Sequence, residues 1–349
     1  MHKKQPDFRR LRTALLCGQP ERVPLFELAV DMTVKEKFLG RPIVGLEDEI
    51  DFYREAGYDY IKLSPLVDFN PGKAVPREGS RLTQRSDDRG QRRWNAGNTG
   101  VITSLAEFEA YQWPKLEEVD YSPFEQVQKL LPDGMQIVGQ YGDIFTYTWD
   151  LMGFETFSIS LVENPELVAI VFQKVGSIVY HLFETMASFD KVGALCYSDD
   201  IAFYSGPLCS PTVFRTHLFP WMKKIGQVCR ERNLPFIYHS DGKLWELMED
   251  LLDCGVNALQ PIEPKTMDIR EVKQRYGRRL CLIGNVDVDL LARGTPEQVQ
   301  EKTLELIREV APGGGYCLGS GNTVPEYVPV ENYRAMVETA WEFGRYPIG

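Results

Sequence analysis

The chain has 349 residues, of which 43% are hydrophobic and 26% are charged, a balance typical of a globular protein with a large core. Its net charge of −11 argues against nucleic acid or an anionic membrane as the main partner, because both attract positively charged surfaces. The N-terminal residues lack the apolar run of a secretory signal, and no uninterrupted apolar stretch is long enough to predict a membrane span.

Eight short apolar runs follow one another along the chain and predict eight β-strands. They cover residues 23–26, 58–63, 135–140, 193–197, 235–239, 257–260, 280–284 and 315–318. Amphipathic helical patterns lie between most of them, most clearly at 213–232, 244–254, 296–310 and 331–343. Apolar strands separated by helices indicate a parallel sheet covered on both faces.

Eight such units predict an α/β fold, a single (β/α)8 TIM barrel that forms one domain over residues 1–349. The N-terminal segment and residues 65–134, which are long and polar, are expected to be elaborations of it. In such a barrel the residues after each strand meet at one mouth, where active sites lie. Polar and acidic residues recur at those positions, which a purely structural barrel would not require.

The segment after the fourth strand contains Asp199 and Asp200. Two carboxylates in one cleft repel each other, so one of them can keep a raised pKa and act as an acid. The alternative is that one aspartate caps a helix and the other is solvated.

His239 ends the fifth strand and is followed by Ser240, Asp241 and Gly242. A histidine at this place can act as a general acid or base near neutral pH, or as a metal ligand. Asp241 can supply a second ligand or orient the imidazole. The alternative is that Ser240 or Asp241 only caps the next helix.

Glu263 follows the sixth strand between two prolines, Pro261 and Pro264, which would hold the turn rigid and aim the carboxylate. Asn285 and Asp287 follow the seventh strand, where Asn285 can present an amide to a substrate or form an Asx turn. The sequence has no dinucleotide or P-loop motif, so we expect no nucleotide cofactor.

Aromatic side chains gather in two segments, 141–149 and 198–206. They predict a broad apolar wall for a flat substrate, although packing beneath the loops would also account for them. The residues of this predicted wall are Tyr141, Phe145, Tyr147, Phe203 and Tyr204.

Seven cysteines are dispersed without a C-x-x-C pair: Cys17, Cys196, Cys209, Cys229, Cys254, Cys281 and Cys317. This usage predicts reduced, mostly buried thiols and a cytoplasmic protein.

From about residue 8 to its C-terminus the chain resembles the uroporphyrinogen decarboxylase superfamily. The resemblance is carried by RRLRTALLCGQPERVP, YSDDIAFYSGPLCSP, FIYHSDG, GVNALQPIEP, LIGNVD and GGGYCLGSGNTVPEYVPVENYRAM. It implies a single (β/α)8 barrel, in agreement with the strand pattern. Some members of this superfamily are dimers, so the resemblance also makes a homodimer an expectation.

The decarboxylases of this superfamily grip polycarboxylate substrates with arginines after the first strand. This chain has no arginine between Arg22 and Arg41. Ser64 and Pro65 stand near the place of the decarboxylase aspartate, and Ser320 aligns with the late histidine of the family. These departures disfavour uroporphyrinogen itself as the substrate.

Other members are methyltransferases that exchange a methyl group between a small molecule and a corrinoid-carrying partner protein. Many bind zinc through an H-x-C motif and a later cysteine. This chain has His239 and Asp241 in the H-x-C position, with Cys317 as its nearest late cysteine. The resemblance thus implies a zinc site drawn from His239, Asp241, Glu263 and Cys317, although metal-free chemistry remains an alternative.

The sequence analysis therefore predicts a methyltransferase that acts on a small methylated compound and a corrinoid protein. His239, Asp241, Asp199, Asp200 and Glu263 are its expected catalytic residues. Its expected substrate-binding residues are Tyr141, Phe145, Tyr147, Phe203, Tyr204, Asn285, Asp287 and Ser320. The alternatives are a decarboxylase acting on a porphyrinogen or another carboxylated small molecule, and a protein that binds a corrinoid or tetrapyrrole without chemistry.

Overall fold

The structure is a computed structural model that describes residues 4–67, 69 and 100–348. Part of the predicted elaboration at 65–134, residues 68 and 70–99, lies outside the described part. Its described remainder is helical, with two short helices and the 3-10 turn Leu116–Glu118.

Nine strands lie in the described residues, and seven of them form one parallel sheet in the order β1-β2-β3-β6-β7-β8-β9. Strands β4 and β5 form a separate antiparallel hairpin. The strands are β1 Tyr60–Leu63, β2 Gln136–Gly142, β3 Val192–Ser198, β4 Ala202–Phe203, β5 Gly206–Pro207, β6 Phe236–His239, β7 Ala258–Gln260, β8 Cys281–Ile283 and β9 Tyr316–Cys317.

Helices separate most of the strands, as the amphipathic patterns predicted. Those in the described residues are α1 Phe8–Leu15, α2 Met32–Leu39, α3 Leu46–Ala56, α4 Leu105–Ala110, α5 Ser122–Leu130, α6 Ile144–Met152, α7 Phe154–Glu163, α8 Pro165–Met186, α9 Pro211–Val213, α10 Phe219–Glu231, α11 Met248–Asp253, α12 Ile269–Tyr276, α13 Val288–Arg293, α14 Pro296–Val310 and α15 Val330–Phe343. A π-helical turn, Phe214–Leu218, precedes α10, and a 3-10 turn, Trp245–Leu247, precedes α11.

The first predicted strand, 23–26, lies at the edge of the sheet without forming a regular strand. It makes one parallel bridge to the far end of the sheet, between Leu25 and Leu318. On the side of β1, a side chain replaces the backbone hydrogen bonds of a regular strand pair. The Tyr60 hydroxyl accepts from the Glu27 N–H and donates to the Glu27 carbonyl, both at 2.9 Å. Pro24 has no N–H to donate. The described residues therefore form a curled, barrel-like sheet of seven paired strands.

Successive side chains along each strand alternate between the two faces of the sheet. A Cβ on Gly139 would lie 3.1 Å from the Met186 sulfur of α8, so Gly139 faces the helices. The Tyr197 ring also faces α8, with its centroid 5.9 Å from that of Phe183. Gln140, Cys196 and Ser198 are therefore on the opposite, concave face, and so is His239, which pairs with Ser198.

Helix α8 is the one described helix that is long and apolar enough, by length and composition, to cross a membrane. Its most apolar 18 residues have a mean hydropathy of 1.3, and 56% of them are buried inside the protein. The helix packs against β2, β3, α6, α7 and α10. Packing in the core accounts for its apolar composition.

Candidate functional site

Three side chains that follow neighbouring strands converge at the C-terminal edge of the sheet. Asp200 comes two residues after β3, His239 ends β6, and Asp241 follows it. One oxygen or nitrogen atom from each lies within 4.8 Å of the others. The His239 Nε2 atom is 3.8 Å from Asp200 Oδ1. We call these three residues the acid–imidazole group.

A hydrogen-bond chain orients the imidazole of His239. Its Nδ1 atom is 2.5 Å from the Gln260 side-chain oxygen, which can only accept a hydrogen bond. The Gln260 amide nitrogen in turn donates to the backbone carbonyl of Asn322 at 2.9 Å. The proton therefore stays on Nδ1, and Nε2 points toward the two aspartates as a base or ligand.

Asp241 has one carboxylate oxygen engaged and one unpaired. Asn322 donates its side-chain N–H to Oδ2 at 2.5 Å. Oδ1 is buried and has no hydrogen-bond partner in the described part of the chain. Burial is the main cause that raises the pKa of Asp241 to about 6, and the charges of Asp200 and Glu263 add to it. Buried acceptors are rarely left unpaired, so Oδ1 marks a place for a proton donor or a cation.

Glu263 lies near the acid–imidazole group but is not one of its three members. Its carboxylate accepts from the Gly242 N–H at 2.9 Å, which ties the loop after β7 to the loop after β6. It lines a cleft of about 680 Å³ together with Lys265, Asp287 and Asn322. Asn322 thus belongs both to this cleft and to the acid–imidazole group. A second cleft, of about 980 Å³, contains residues such as Arg9, Arg10 and Trp341 and no predicted site residue.

Asp199, predicted as a proton-transfer residue, serves the start of helix α6. Its two oxygens accept from the N–H groups of Phe145 and Thr146, at 2.7 and 3.0 Å, and from the Thr146 hydroxyl at 2.9 Å. The Tyr197 hydroxyl donates to it at 2.6 Å. The side chain is 1% exposed. With four donors and no exposure, Asp199 positions the helix, and Asp200 is the member of the pair that reaches His239.

The predicted aromatic wall is divided by the structure. Phe145 is fully buried and packs its ring against Phe157, Phe172 and Phe214, so it belongs to the core because α6 turns it away from solvent. Tyr141 and Tyr147 are half-buried, and Tyr147 stacks on Phe69 with ring centroids 4.5 Å apart.

Phe203 and Tyr204 are 60% and 67% exposed at the tip of the β4–β5 hairpin. The Phe203 carbonyl accepts from the Lys243 N–H at 2.9 Å, so the hairpin lies against the loop that follows His239. The exposed aromatic pair therefore borders the acid–imidazole group from the solvent side.

Three more of the predicted residues make contacts within the fold. Asn285 is buried and donates to the Ile262 carbonyl at 2.7 Å. Asp287 accepts from the Asp289 N–H and so caps α13, while it also lines the smaller cleft. Ser320 is fully buried and donates both its N–H and its hydroxyl to Glu27, each at 2.6 Å.

Cys317, predicted as a metal ligand, does not join the acid–imidazole group. It is fully buried in β9, and its sulfur is 3.8 Å from that of Cys281. Its thiol contacts the Cys281 thiol in the core, away from the three grouped side chains. The prediction that it binds the metal is therefore wrong for this geometry.

The remaining donors suit a cation of borderline or hard character. One imidazole nitrogen and two carboxylate oxygens form an N/O set without thiolate, which Zn²⁺, Fe²⁺ and Mn²⁺ all accept. The unpaired Asp241 Oδ1 is the observation that favours such an ion. His239, Asp200 and Asp241 would hold it, with Glu263 nearby.

Sequence reasoning assigned no role to three residues of the site. Gln260 and Asn322 form the hydrogen-bond chain above, and the only signal for them was a polar residue at or after a strand end. The third is Asp143, which follows β2 in a left-handed conformation with φ of 67°. Burial raises the pKa of Asp143 well above its usual value, and the charges of Asp199 and Asp200 raise it further.

Comparisons with known proteins find the same superfamily that the sequence motifs resemble. The protein-family model described as uroporphyrinogen decarboxylase (URO-D) matches residues 100–343. A uroporphyrinogen decarboxylase from Coxiella burnetii is 23% identical over 258 residues, which are 69% of this chain and 68% of that protein. A methylated-thiol–coenzyme M methyltransferase from Methanosarcina mazei is 25% identical over 242 residues, 66% of this chain and 61% of that protein.

Among solved structures, a methyltransferase from Methanosarcina mazei superposes with a TM-score of 0.70. The two sequences are 18% identical, and the superposition includes 97% of this chain and 99% of the methyltransferase. At that identity the likeness shows a shared fold.

Proposed function

The chain belongs to the uroporphyrinogen decarboxylase family, and we propose that within this family it is a methyltransferase. It would move a methyl group between a small methylated compound and a corrinoid carried by a partner protein. The observation that carries the proposal is the acid–imidazole group of Asp200, His239 and Asp241, with its unpaired Asp241 oxygen.

Methyl transfer from an ether or amine breaks a C–O or C–N bond, and the electron pair stays on the departing heteroatom. That atom leaves more readily when it receives a proton or is polarised. When Nε2 has taken up a proton as well, His239 can deliver that proton to the heteroatom, because Gln260 holds the other ring nitrogen. Asp200 is 53% exposed and 3.8 Å from Nε2, so it can return a proton from solvent.

A zinc ion bound by His239, Asp200 and Asp241 would act as a Lewis acid toward the same heteroatom. The lack of thiolate among these donors disfavours activation of a thiol acceptor. Methoxylated and N-methylated compounds are therefore the substrate classes that the donor set favours.

The surroundings of the site favour methyl transfer over decarboxylation of a polycarboxylate. Asp200, Asp241 and Glu263 give the mouth an acidic character, which repels substrates with many carboxylates. No arginine lies between Arg22 and Arg41 to offset that charge. The Methanosarcina mazei relative, which is named as a methyltransferase, supports the same choice.

The test is methylation of free cob(I)alamin by methoxyaromatics and methylamines, with the His239→Gln variant as the central comparison. We expect turnover by the wild type and a loss of at least about 100-fold in the variant, because general acid–base catalysis typically contributes that much. His181→Gln is the matched control, since His181 is 41% exposed on α8 and its Nδ1 atom lies 3.9 Å from the Glu184 carboxylate. Wild-type inactivity across the panel, with zinc supplied, would contradict the proposal.

The alternative is a decarboxylase, favoured by the uroporphyrinogen decarboxylase relatives and by two acids of the mouth whose pKa values are raised. Asp143 and Asp241, whose pKa values are raised, could protonate a carbanion left by departing carbon dioxide. Release of carbon dioxide from a porphyrinogen or a simpler carboxylated substrate, without cobalamin, would decide for this alternative.

A further inference from the structure

Lys62 is a cation on the concave side of the sheet without a counter-ion. It pairs in register with Val138 of β2, and paired residues of parallel strands share a face. Val138 precedes Gly139, which faces helix α8. Lys62 is therefore on the face away from α8, which is also the face of Gln140, Cys196 and His239.

The electrostatic surroundings of Lys62 include a residue of β3. Burial is the main cause that lowers the pKa of Lys62 to about 8, and the neighbouring ionisable group with the largest effect on it is the Cys196 thiol of β3. Cys196 pairs in register with Ile237, two residues before His239. By register Lys62 pairs with Val138, and Val138 pairs with Ala194, four residues before Ser198, so the Lys62 backbone lies deeper in the sheet than the acid–imidazole group.

No described carboxylate neutralises Lys62. Glu49 also acts on Lys62, but Glu49 forms a 2.7 Å ion pair with Lys35. The described residues offer Lys62 no hydrogen bond and no ion pair. Lys62 is half-buried, and holding an ammonium partly out of water without a partner costs folding free energy, so such a group is a candidate for a functional role.

Gln140 is a second unsatisfied polar group on this face. Its side chain is 4% exposed, one end of its amide contacts the Ser198 hydroxyl at 3.1 Å, and the other end has no described partner. A serine hydroxyl can both donate and accept. The amide can therefore turn its N–H end to a ligand while it keeps the bond to Ser198.

We propose that Lys62, with Gln140 beside it, binds a carboxylate group of the substrate beneath the acid–imidazole group. This inference rests on the proposed function and adds the substrate class to it: a small methylated compound that carries one carboxylate. An ammonium and an amide N–H are complementary to the two oxygens of a carboxylate.

The sheet order sets the size of this substrate. Two strands, β2 and β3, separate β1 from β6, and strand spacing places them about 14 Å apart along the curved sheet. Lys62 and His239 are on the concave face, on the two strands that border that gap. A compound of small-molecule length fills the remainder, with its carboxylate at Lys62 and its methyl-bearing atom at His239.

Binding measured by calorimetry, without cobalamin or partner protein, tests the inference. The probes are 4-methoxybenzoate and its uncharged counterpart 4-methoxybenzamide, and methoxyacetate with methoxyacetamide. We expect the wild type to bind at least one carboxylate about tenfold or more tightly than its amide. This preference should vanish in Lys62→Met, persist in part in Lys62→Arg and remain whole in Lys129→Met, an exposed lysine of α5.

Thermal unfolding of the same variants separates this role from a structural one. Lys62→Met removes an unpaired, half-buried charge, so we expect its melting temperature to stay equal or rise while carboxylate binding is lost. A fall in stability, or equal binding of carboxylate and amide by the wild type, would overturn the inference. Carboxylate binding without methyl transfer would leave this inference standing and count against the proposed function instead. If methyl transfer is unchanged in Lys62→Met, the proposed function stands and this inference about Lys62 is overturned.

Discussion

At the scale of single residues, Gln260 decides which nitrogen of His239 is available. It bonds Nδ1 on one side and the Asn322 backbone on the other. A carboxylate or amide behind a functional imidazole fixes the tautomer and the direction of the free nitrogen. Gln260 is therefore a positioning residue, which acts through His239 rather than on the substrate.

We predict that Gln260→Leu lowers activity and zinc affinity by about 10- to 100-fold, the usual effect of losing such a partner. Gln260→Glu should restore most of the loss and shift the basic limb of the pH–rate profile upward, because a carboxylate raises the pKa of the imidazole. Gln227→Leu, on the exposed face of α10, is the control. A loss of stability with an unchanged pH profile would assign Gln260 a structural role only.

Asp199 illustrates a residue whose chemistry suits catalysis but whose contacts serve structure. We predict that Asp199→Ala lowers the free energy of unfolding by on the order of 3 kcal/mol, since it leaves the buried Phe145 N–H and Tyr197 hydroxyl without acceptors. Urea denaturation would measure this, with the exposed Asp190→Ala as control. A stable variant that has lost its activity would instead restore Asp199 as a proton donor.

At the scale of elements, the β4–β5 hairpin and the loop after β6 hold each other in place. The Ile201 N–H donates to the Ser240 hydroxyl at 3.1 Å, and Gly242 adopts φ of +90° directly against the Ala202 backbone. Because the loop carries Asp241, the position of that carboxylate depends on the hairpin.

A Cβ added at Gly242 would lie 2.6 Å from the Ala202 carbonyl atoms. We predict that Gly242→Ala destabilises the protein by about 2 kcal/mol or more, from left-handed strain and this backbone clash, and displaces Asp241. The melting temperature and the zinc affinity should therefore both decrease in this variant. Gly40→Ala has a similar positive φ but open space around it, so it is the control for strain alone; equal effects of the two variants would contradict the role of the contact.

At the scale of the whole molecule, buried acids make stability depend on pH. Glu27 is 1% exposed where the first segment meets the residues after β9. Burial raises its pKa to about 8, although hydrogen bonds from Ser320 partly oppose the shift. Asp59, beneath the sheet near Arg10, has a pKa raised by burial to about 7.

An acid whose pKa is higher in the folded state binds its proton more tightly there. Between the unfolded and folded pKa values, the free energy of unfolding therefore falls as the pH rises, by up to about 1.4 kcal/mol per pH unit for each group. For Glu27 the window runs from 4.5 to about 8, and for Asp59 from 3.8 to about 7. Lys62 has a pKa lowered to about 8. Above that pH its contribution makes the free energy of unfolding rise as the pH rises.

We predict that the free energy of unfolding decreases from pH 5 to pH 8, and that Glu27→Gln removes the decrease between pH 7 and pH 8. The amide can still accept from Ser320, so the variant should fold. Urea denaturation at several pH values measures the slope, and Glu21→Gln, at an exposed carboxylate, should keep it. An unchanged slope in Glu27→Gln would show that Glu27 is already ionised in the folded protein.

Much of the arrangement follows from sequence alone. Seven of the eight predicted strands form the parallel sheet, because their apolar runs are long enough to be buried on both faces. The convergence of Asp200, His239 and Asp241 could also be predicted, since the ends of neighbouring parallel strands meet at one edge. The family match over residues 100–343 agrees with the resemblance found in the motifs.

The tertiary structure alone decided which of these residues face one another. Side chains alternate along a strand and rotate by about 100° per residue along a helix, so a predicted position leaves the direction open. That is why Phe145 lies in the core and Cys317 beside Cys281. The partners Gln260 and Asn322 come from 21 and 81 residues beyond the groups they hold, and only the folded sheet brings such distant side chains within hydrogen-bond reach.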